Sequence, residues 1–250
     1  MTHPIGTVAR ALELAAKGRT ATEVGRLLGV PRATVRDWIC GRLPKRARPW
    51  AGDGCATCGV LHDFAALPPA YVHLLGWYLG DGCLSAHRRG VFKLRISLDA
   101  RYPDIVDECQ ETIRTVMPRS RVNRADKRTW FEVYSYSKSW PCLFPQHGPG
   151  KKHERRIVLV PWQLTLVSKR PDLLLRGLLH SDGCRFQNTG RGGWSHPRYA
   201  FANTSRDIRA IFCAACDLLG LHWTASADRT IYVSRKHDVA LLDLFVVPKR

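Results

Sequence analysis

The sequence predicts an α+β chain: a small three-helix domain at the N-terminus, then two pseudo-twofold halves, each reading αββαββ with a closing helix. Three observations carry this. LLGWYLGDG at residues 74–82 and LRGLLHSDG at 175–183 are two versions of one segment, and each ends an apolar helical run opened by proline, Pro69 and Pro171. Similar strand and helix patterns follow each copy in the same order, the mark of an internal duplication. Residues 6–41 hold three short helical periodicities separated by Gly18 and Gly29.

In the N-terminal domain, placed at residues 1–45, the first helix covers Thr7–Lys17 and shows Val8, Ala11, Leu12 and Ala15 on one face. Gly18 stops it. The second opens at Thr20 or Thr22 as N-cap and carries Val24, Leu27 and Leu28. Gly29 makes the turn, and Pro31 opens a third helix carrying Val35, Trp38 and Ile39. The stretch TATEVGRLLGVPRATVRDWICG resembles the helix-turn-helix of resolvases, transposases and many bacterial regulators. The resemblance implies that Arg32, Thr34 and Arg36, near the start of the third helix, reach bases and phosphates in a major groove. A small protein-interaction bundle is the alternative.

Charge points the same way. The chain of 250 residues has 39 Lys+Arg against 21 Asp+Glu, a net charge of +18. An excess of that size favours a polyanionic partner, nucleic acid above all. The apolar fraction of 45% suffices for a core and argues against global disorder. With no apolar run of membrane-span length and no signal-peptide core, no membrane role and a cytoplasmic location are expected. Nine cysteines, an odd number scattered along the chain, argue against an extracellular disulfide framework.

Residues 46–66 read as a basic linker that could track a phosphate backbone, and they hold CATCG followed by His62. Cys-x-x-Cys-Gly is half of many zinc sites, so Cys55, Cys58 and His62 are candidate ligands for a structural Zn2+. A fourth ligand is missing; Cys40 is a weak candidate, and two reduced turn cysteines are the alternative. Cys213 and Cys216 repeat the spacing inside an amphipathic helix, where core packing is the expected role.

The two halves span 67–145 and 169–250, with an inter-repeat linker at 146–168. After Asp81 come a strand at 91–98, a helix from Pro103, and strands near 119–126 and 129–135. After Asp182 come a strand at 198–204, a helix from Ser205 or Asp207, strands near 221–226 and 230–234, and a closing helix at 239–244. In 91–98, Lys93, Arg95 and Ser97 share one face, opposite Phe92, Leu94, Ile96 and Leu98.

The two nonapeptides resemble the paired motifs of a monomeric LAGLIDADG homing endonuclease, over about residues 65–250. The resemblance implies two antiparallel sheets forming a saddle over double-stranded DNA, and hydrolysis of a phosphodiester in each strand by one monomer. It implies that Asp81 and Asp182 hold Mg2+, two or three ions at the pair, and that a basic residue stands near the metals: Lys152 first, Lys151 otherwise. Lys93, Arg95, Lys151, Arg155, Arg185 and Gln187 become candidate DNA contacts.

The residues support the idea independently. Gly76 with Gly80, and Gly177 with Ser181, let two helices touch. Parallel packing then places two carboxylates at two helix C-termini, an arrangement a divalent cation would stabilise. Gly82 and Gly183 suit left-handed caps. The family's usual second acid is replaced by Leu79 and His180, the latter read as an interface histidine. A non-catalytic helix-turn-helix transcriptional regulator on the same scaffold is the competing function. An intein-embedded form is disfavoured by Met1, the helix-turn-helix and the lack of splice-junction residues.

Overall fold

The structure, a computed structural model, describes residues 5–40, 42, 55, 58–190, 193–227, 229–246 and 249. It divides into two compact units, Met1–Asp53 and Gly54–Arg250. The basic stretch 43–54, with the expected boundary between first domain and linker, lies outside the described residues.

The first unit has three helices, α1 (Ile5–Ala16), α2 (Ala21–Leu28) and α3 (Arg32–Ile39). Thr20 caps α2 in a capping box with Glu23, whose carboxylate accepts from the Thr20 amide at 2.7 Å. Gly29 ends α2 in the left-handed region at φ 65°, where a side chain would be strained. Val8, Ala11, Val24, Val30, Val35 and Trp38 form the core. Leu27 and Ile39 were expected there but are 59% and 44% exposed. Val24 and Val35 point inward, and in so small a bundle the flanking helix positions have nothing to pack against.

The second unit begins its first repeat with α4 (Ala70–Leu79), then β1 (Gly82–Ala86), β2 (Phe92–Asp99), α5 (Pro103–Val116), β3 (Val122–Asp126), β4 (Trp130–Ser137) and the single turn α6 (Trp140–Leu143). After α7 (Pro161–Lys169), the second repeat runs α8 (Pro171–Asp182), β5 (Gly183–Thr189), β6 (Ser195–Ala202), α9 (Arg206–Leu218), β7 (Trp223–Ala225), β8 (Thr230–Val233) and α10 (Lys236–Asp243). The two antiparallel sheets share one topology, β1-β2-β4-β3 and β5-β6-β8-β7. Alternation in β2 is as the sequence implies: Leu94, Ile96 and Leu98 are buried, and Ile96 stands opposite Val133. Ile105, Val106, Cys109 and Ile113 of α5 bury their faces in the same core, and in the second repeat Phe201 stacks on Phe212 of α9 at 4.3 Å. Cys216 is buried and Cys213 half-buried in α9, a packing role.

Two expectations change. Neither Gly82 nor Gly183 is a left-handed cap. Each opens a strand directly, Gly183 with extended backbone (φ −108°, ψ 161°). Glycine is needed there for space: a Cβ on Gly82 would stand 2.5 Å from the Tyr78 Cα, and one on Gly183 2.7 Å from the Leu179 Cα. The stretch between the repeats is also more than a tether. It carries α7, and Ile157, Leu159 and Val167 are buried. Gln163 is fully buried and donates to the Tyr71 hydroxyl at 2.7 Å, while that hydroxyl donates to the Leu143 carbonyl at 2.6 Å. A buried amide must find partners, and here they tie α7 to α4 and α6.

Candidate functional site

Helices α4 and α8 meet through glycine. A Cβ on Gly76 would stand 2.6 Å from the Leu174 carbonyl oxygen and 2.9 Å from the Gly177 Cα; one on Gly177 would collide with the His73 carbonyl; one on Gly80 would collide with the Ser181 side chain. The helices run in parallel, Gly76 against Gly177 and Gly80 against Ser181. Asp81 follows the end of α4 and Asp182 is the last residue of α8, so the same contact brings both acids to one end of the pair.

Each helix end is closed by a lysine from a distant part of the chain. Lys152 Nζ donates to the Tyr78 carbonyl and to those of Leu79 and Gly80 at 2.9 and 2.6 Å. Lys249 Nζ donates to the carbonyls of Ser181 at 3.1 Å and Gly183 at 2.9 Å. A cation at a helix C-terminus satisfies orphan carbonyls and complements the helix dipole. The sequence pointed to Lys152 and missed Lys249, which lies in a short terminal stretch with no periodicity to place it.

Two small clefts flank the pair. One, about 290 Å3, is lined by Asp81, Asp99, Arg101, Tyr102, Ser181 and Lys249 among others. The other, about 320 Å3, is lined by Lys151, Lys152, His153, Asp182, Asn203 and Thr204 among others. Burial, then the charge of Asp182, pushes the Asp81 carboxyl up to about 6. Burial also raises Asp182, but the Asn203 amide donates to its Oδ2 at 2.6 Å, and Lys152 and Lys249 favour its charged form. Burial lowers Lys152 to about 8 against the pull of both acids, and lowers Lys249. The acids are therefore near one another, dehydrated and unequal.

His180 is buried within the helix interface. Its Nδ1 lies 3.6 Å from Glu108, a residue of α5 that pairs with Arg176 at 2.5 Å. His73 stacks on Trp77 at 3.9 Å, and burial holds it well below the usual histidine range. This network lies on the shared helix contact, in keeping with an interface role for His180.

Most of the basic residues expected to face phosphate already have partners. Lys93 pairs with Glu132 and lies over the Tyr134 ring at 4.2 Å; Arg95 is 3.7 Å from the same Glu132. Glu132 sits opposite Ser97, on the face of the sheet that carries the lysine and arginine, and sequence reasoning passed over it. Arg185 grips Asp243 with two bonds of 2.8 Å, fastening α10 to β5, while Arg155 donates to the Gly150 and Gln146 carbonyls of its own loop. Lys151 is exposed with Glu154 at 3.8 Å, and Gln187 accepts from Ser195 at 3.2 Å. In the first unit Arg32 and Arg36 are exposed on α3, and Thr34 is half-buried.

The expected zinc ligands Cys55, Cys58 and His62 do come together, but the side chain that joins them is Cys142, not Cys40. Cys40 ends α3 in the first unit, exposed.

Two tandem αββαββ repeats meeting through paired glycine-lined helices, each leading into an acid, are the arrangement that the resemblance of the two nonapeptides implies. Residues 5–41 match the family model of a homeodomain-like domain. No curated protein matches the chain. Among solved structures it is similar to the homing endonuclease I-DmoI in complex with DNA and Mn, at 11% identity and TM-score 0.46, covering 72% of this chain and 96% of that one. It is also similar to the homing endonuclease I-WcaI bound to its DNA recognition sequence (10% identity, TM-score 0.45, covering 73% and 84%). A third is the N-terminal LAGLIDADG domain of DUF199/WhiA (13% identity, TM-score 0.43, covering 75% and 89%).

Proposed function

We propose that the chain is a site-specific double-stranded-DNA-binding protein that hydrolyses one phosphodiester in each strand, acting as a monomer with Asp81 and Asp182 as metal-binding acids. The observation that carries this reading is the acid pair itself, each carboxylate lining its own cleft beside its own lysine. The donors suit a hard divalent cation such as Mg2+: two carboxylates whose burial disfavours their charged forms, with the charge of Asp182 adding to that at Asp81. When bound, such a cation lowers the pKa of a water and offsets phosphate charge. The rest falls to the chain. Lys152 and Lys249 place an ammonium in each cleft, held by helix carbonyls, where it can neutralise a phosphoryl oxygen. With its pKa near 8, Lys152 Nζ can also hold or release a proton close to neutral pH. The polar faces of the two sheets, and Arg32 and Arg36 on α3, supply the DNA contacts.

Selection of cleaved products from a randomised DNA library with Mg2+ tests the reading, with Asp81→Asn and Asp182→Asn as controls. Tight sequence-specific binding without scission at any Mg2+ or Mn2+ concentration would sink it. That outcome would establish the second reading, a non-catalytic DNA-binding regulator. One contact favours that reading: Asn203 already satisfies an oxygen of Asp182, as it would for a purely structural carboxylate.

A further inference from the structure

Cys142, in α6, brings its Sγ to 3.3 Å from Cys55 Sγ and 3.6 Å from Cys58 Sγ, and Cys58 Sγ lies 2.9 Å from His62 Nε2. The four donor atoms all lie within 4.8 Å of one another. Tetrahedral zinc, with Zn–S of about 2.3 Å and Zn–N of about 2.0 Å, sets its ligand atoms about 3.4–3.8 Å apart. The group has that scale. Neither of the Cys142 contacts is a disulfide, which would place its sulfurs about 2.05 Å apart. Three sulfurs and one imidazole are a soft donor set that suits Zn2+ and excludes Mg2+ and Ca2+.

The surroundings are built to present these atoms. The Gly59 amide donates to the Cys55 carbonyl at 2.8 Å, the Cys55 amide donates to the Val60 carbonyl at 2.8 Å, and Gly59 takes φ 80°. This turn brings the two cysteines together. The His62 ring stacks on Phe64 at 5.3 Å, and Phe64 on Trp162 of α7 at 4.2 Å, which fixes the plane of the imidazole. Orientation of a ligating histidine from outside the metal is what a defined site requires.

The segment has little else to hold it. Val60 and Leu61 are 48% and 70% exposed, so residues 58–62 bury too little apolar surface to offset the entropy of ordering them. None of the four ligands lines either acid cleft.

We propose that Cys55, Cys58, His62 and Cys142 bind one structural Zn2+, which fastens the first residues of the second unit to α6. Four protein ligands leave no open position, so the ion is structural and takes no part in hydrolysis. The proposal does not depend on the nuclease reading.

The test uses the full chain, purified under reducing conditions without chelator and dialysed. Elemental analysis should find one zinc per chain in the wild type and in Cys40→Ser, and almost none in Cys142→Ser. Replacement by Co2+ should give the d–d absorption of a tetrahedral ion with thiolate-to-cobalt charge transfer. His62→Cys should keep the metal and raise that charge-transfer intensity by about one third, as four thiolates replace three. Wild-type protein free of zinc that also gives no tetrahedral cobalt spectrum overturns the proposal, as does full zinc occupancy in Cys142→Ser. Should Cys142→Ser fail to fold, His62→Cys decides: full occupancy with unchanged charge transfer rules out the site as assigned.

Discussion

Lys152 and Lys249 stand in the same relation to the two ends of the helix pair. The first donates to carbonyls at the end of α4, the second to carbonyls around the end of α8. Yet each also lines the cleft of the acid on the other helix, Lys152 with Asp182 and Lys249 with Asp81. The pseudo-twofold therefore crosses the lysines over. The cleft of Asp81 takes its lysine from the second repeat, and the cleft of Asp182 takes its lysine from the stretch between the repeats and Leu79 and Gly80 from the first.

That crossing makes a strand-resolved prediction. Lys249→Met should impair the cleft containing Asp81, and Lys152→Met the cleft containing Asp182. With a supercoiled plasmid carrying the cognate site, each variant should accumulate nicked circles, and end-labelling should place the two nicks on opposite strands. Equal slowing of both strands by either variant would mean that the clefts do not act separately. Loss of a charge-assisted cap should also lower stability by about 1–2 kcal/mol in each case, readable by urea denaturation.

The glycine contacts predict a rescue. Gly80→Ala drives its new Cβ into the Ser181 side chain, and overpacking of this kind costs about 1–3 kcal/mol. Removing that side chain as well, in Gly80→Ala/Ser181→Gly, should restore much of the loss. Gly177→Ala meets the His73 carbonyl and the Trp77 amide, which no side-chain change can clear. It should be the more damaging substitution and resist rescue at neighbouring positions. Thermal melts of the three variants test the contrast.

These relationships were legible in the sequence to different depths. Asp81 and Asp182 could be read because the segment occurs twice, and repetition turns a common helix ending into a pair. Small residues four apart foretold the close approach of α4 and α8. Lys249 and Cys142 could not be read in the same way. Each acts on a partner far along the chain, Cys142 on Cys58 across nearly the whole first repeat, and no local pattern encodes such a meeting. Gly82 and Gly183 were recognisable as obligatory glycines, but for the wrong reason. A left-handed cap and a crowded strand start demand the same residue, and only the position of Tyr78 and Leu179 tells them apart.

Metal-free protein should be stabilised by losing an acid. Asp81 is raised from 3.8 to about 6, so the folded state binds more protons than the unfolded chain across that window. Stability from this group is present below pH 3.8 and is lost as pH rises to about 6. At neutral pH the penalty is up to roughly 3 kcal/mol at 1.36 kcal/mol per unit. Asp81→Asn should relieve it, raising Tm in chelator at pH 7 while leaving Tm near pH 4 almost unchanged. Mg2+ should raise the wild-type Tm and do much less for the variant. A wild-type Tm indifferent to Mg2+ would count against metal binding at the pair.

Cleavage, if it needs ionised Asp81 and protonated Lys152, should be confined on both sides by pH. The alkaline limb should fall near 8, where Lys152 loses its proton. The acid limb should start near 6 at low Mg2+ and move downward as Mg2+ competes with the proton on Asp81. Lys152→Arg keeps the charge at all accessible pH, so it should abolish the alkaline limb while leaving the acid limb in place. Single-turnover rates across pH at two Mg2+ concentrations separate the limbs.

Glu132 sets the last prediction, because it lies on the face proposed to meet DNA and holds Lys93 and Arg95 there. It is itself buried. Its negative charge does two things at once: it orients both cations and offsets part of their charge. Glu132→Gln keeps the shape and removes the charge. Non-specific DNA should then bind more tightly, and the slope of log affinity against log salt should steepen by up to about one or two ions as the cations are released to phosphate. Specific affinity should gain less, because freed side chains lose the register that Glu132 imposed, so the specific-to-non-specific ratio should fall. Fluorescence anisotropy at several salt concentrations with cognate and scrambled duplexes measures both quantities. An unchanged salt slope would show that this sheet face lies away from the phosphate backbone.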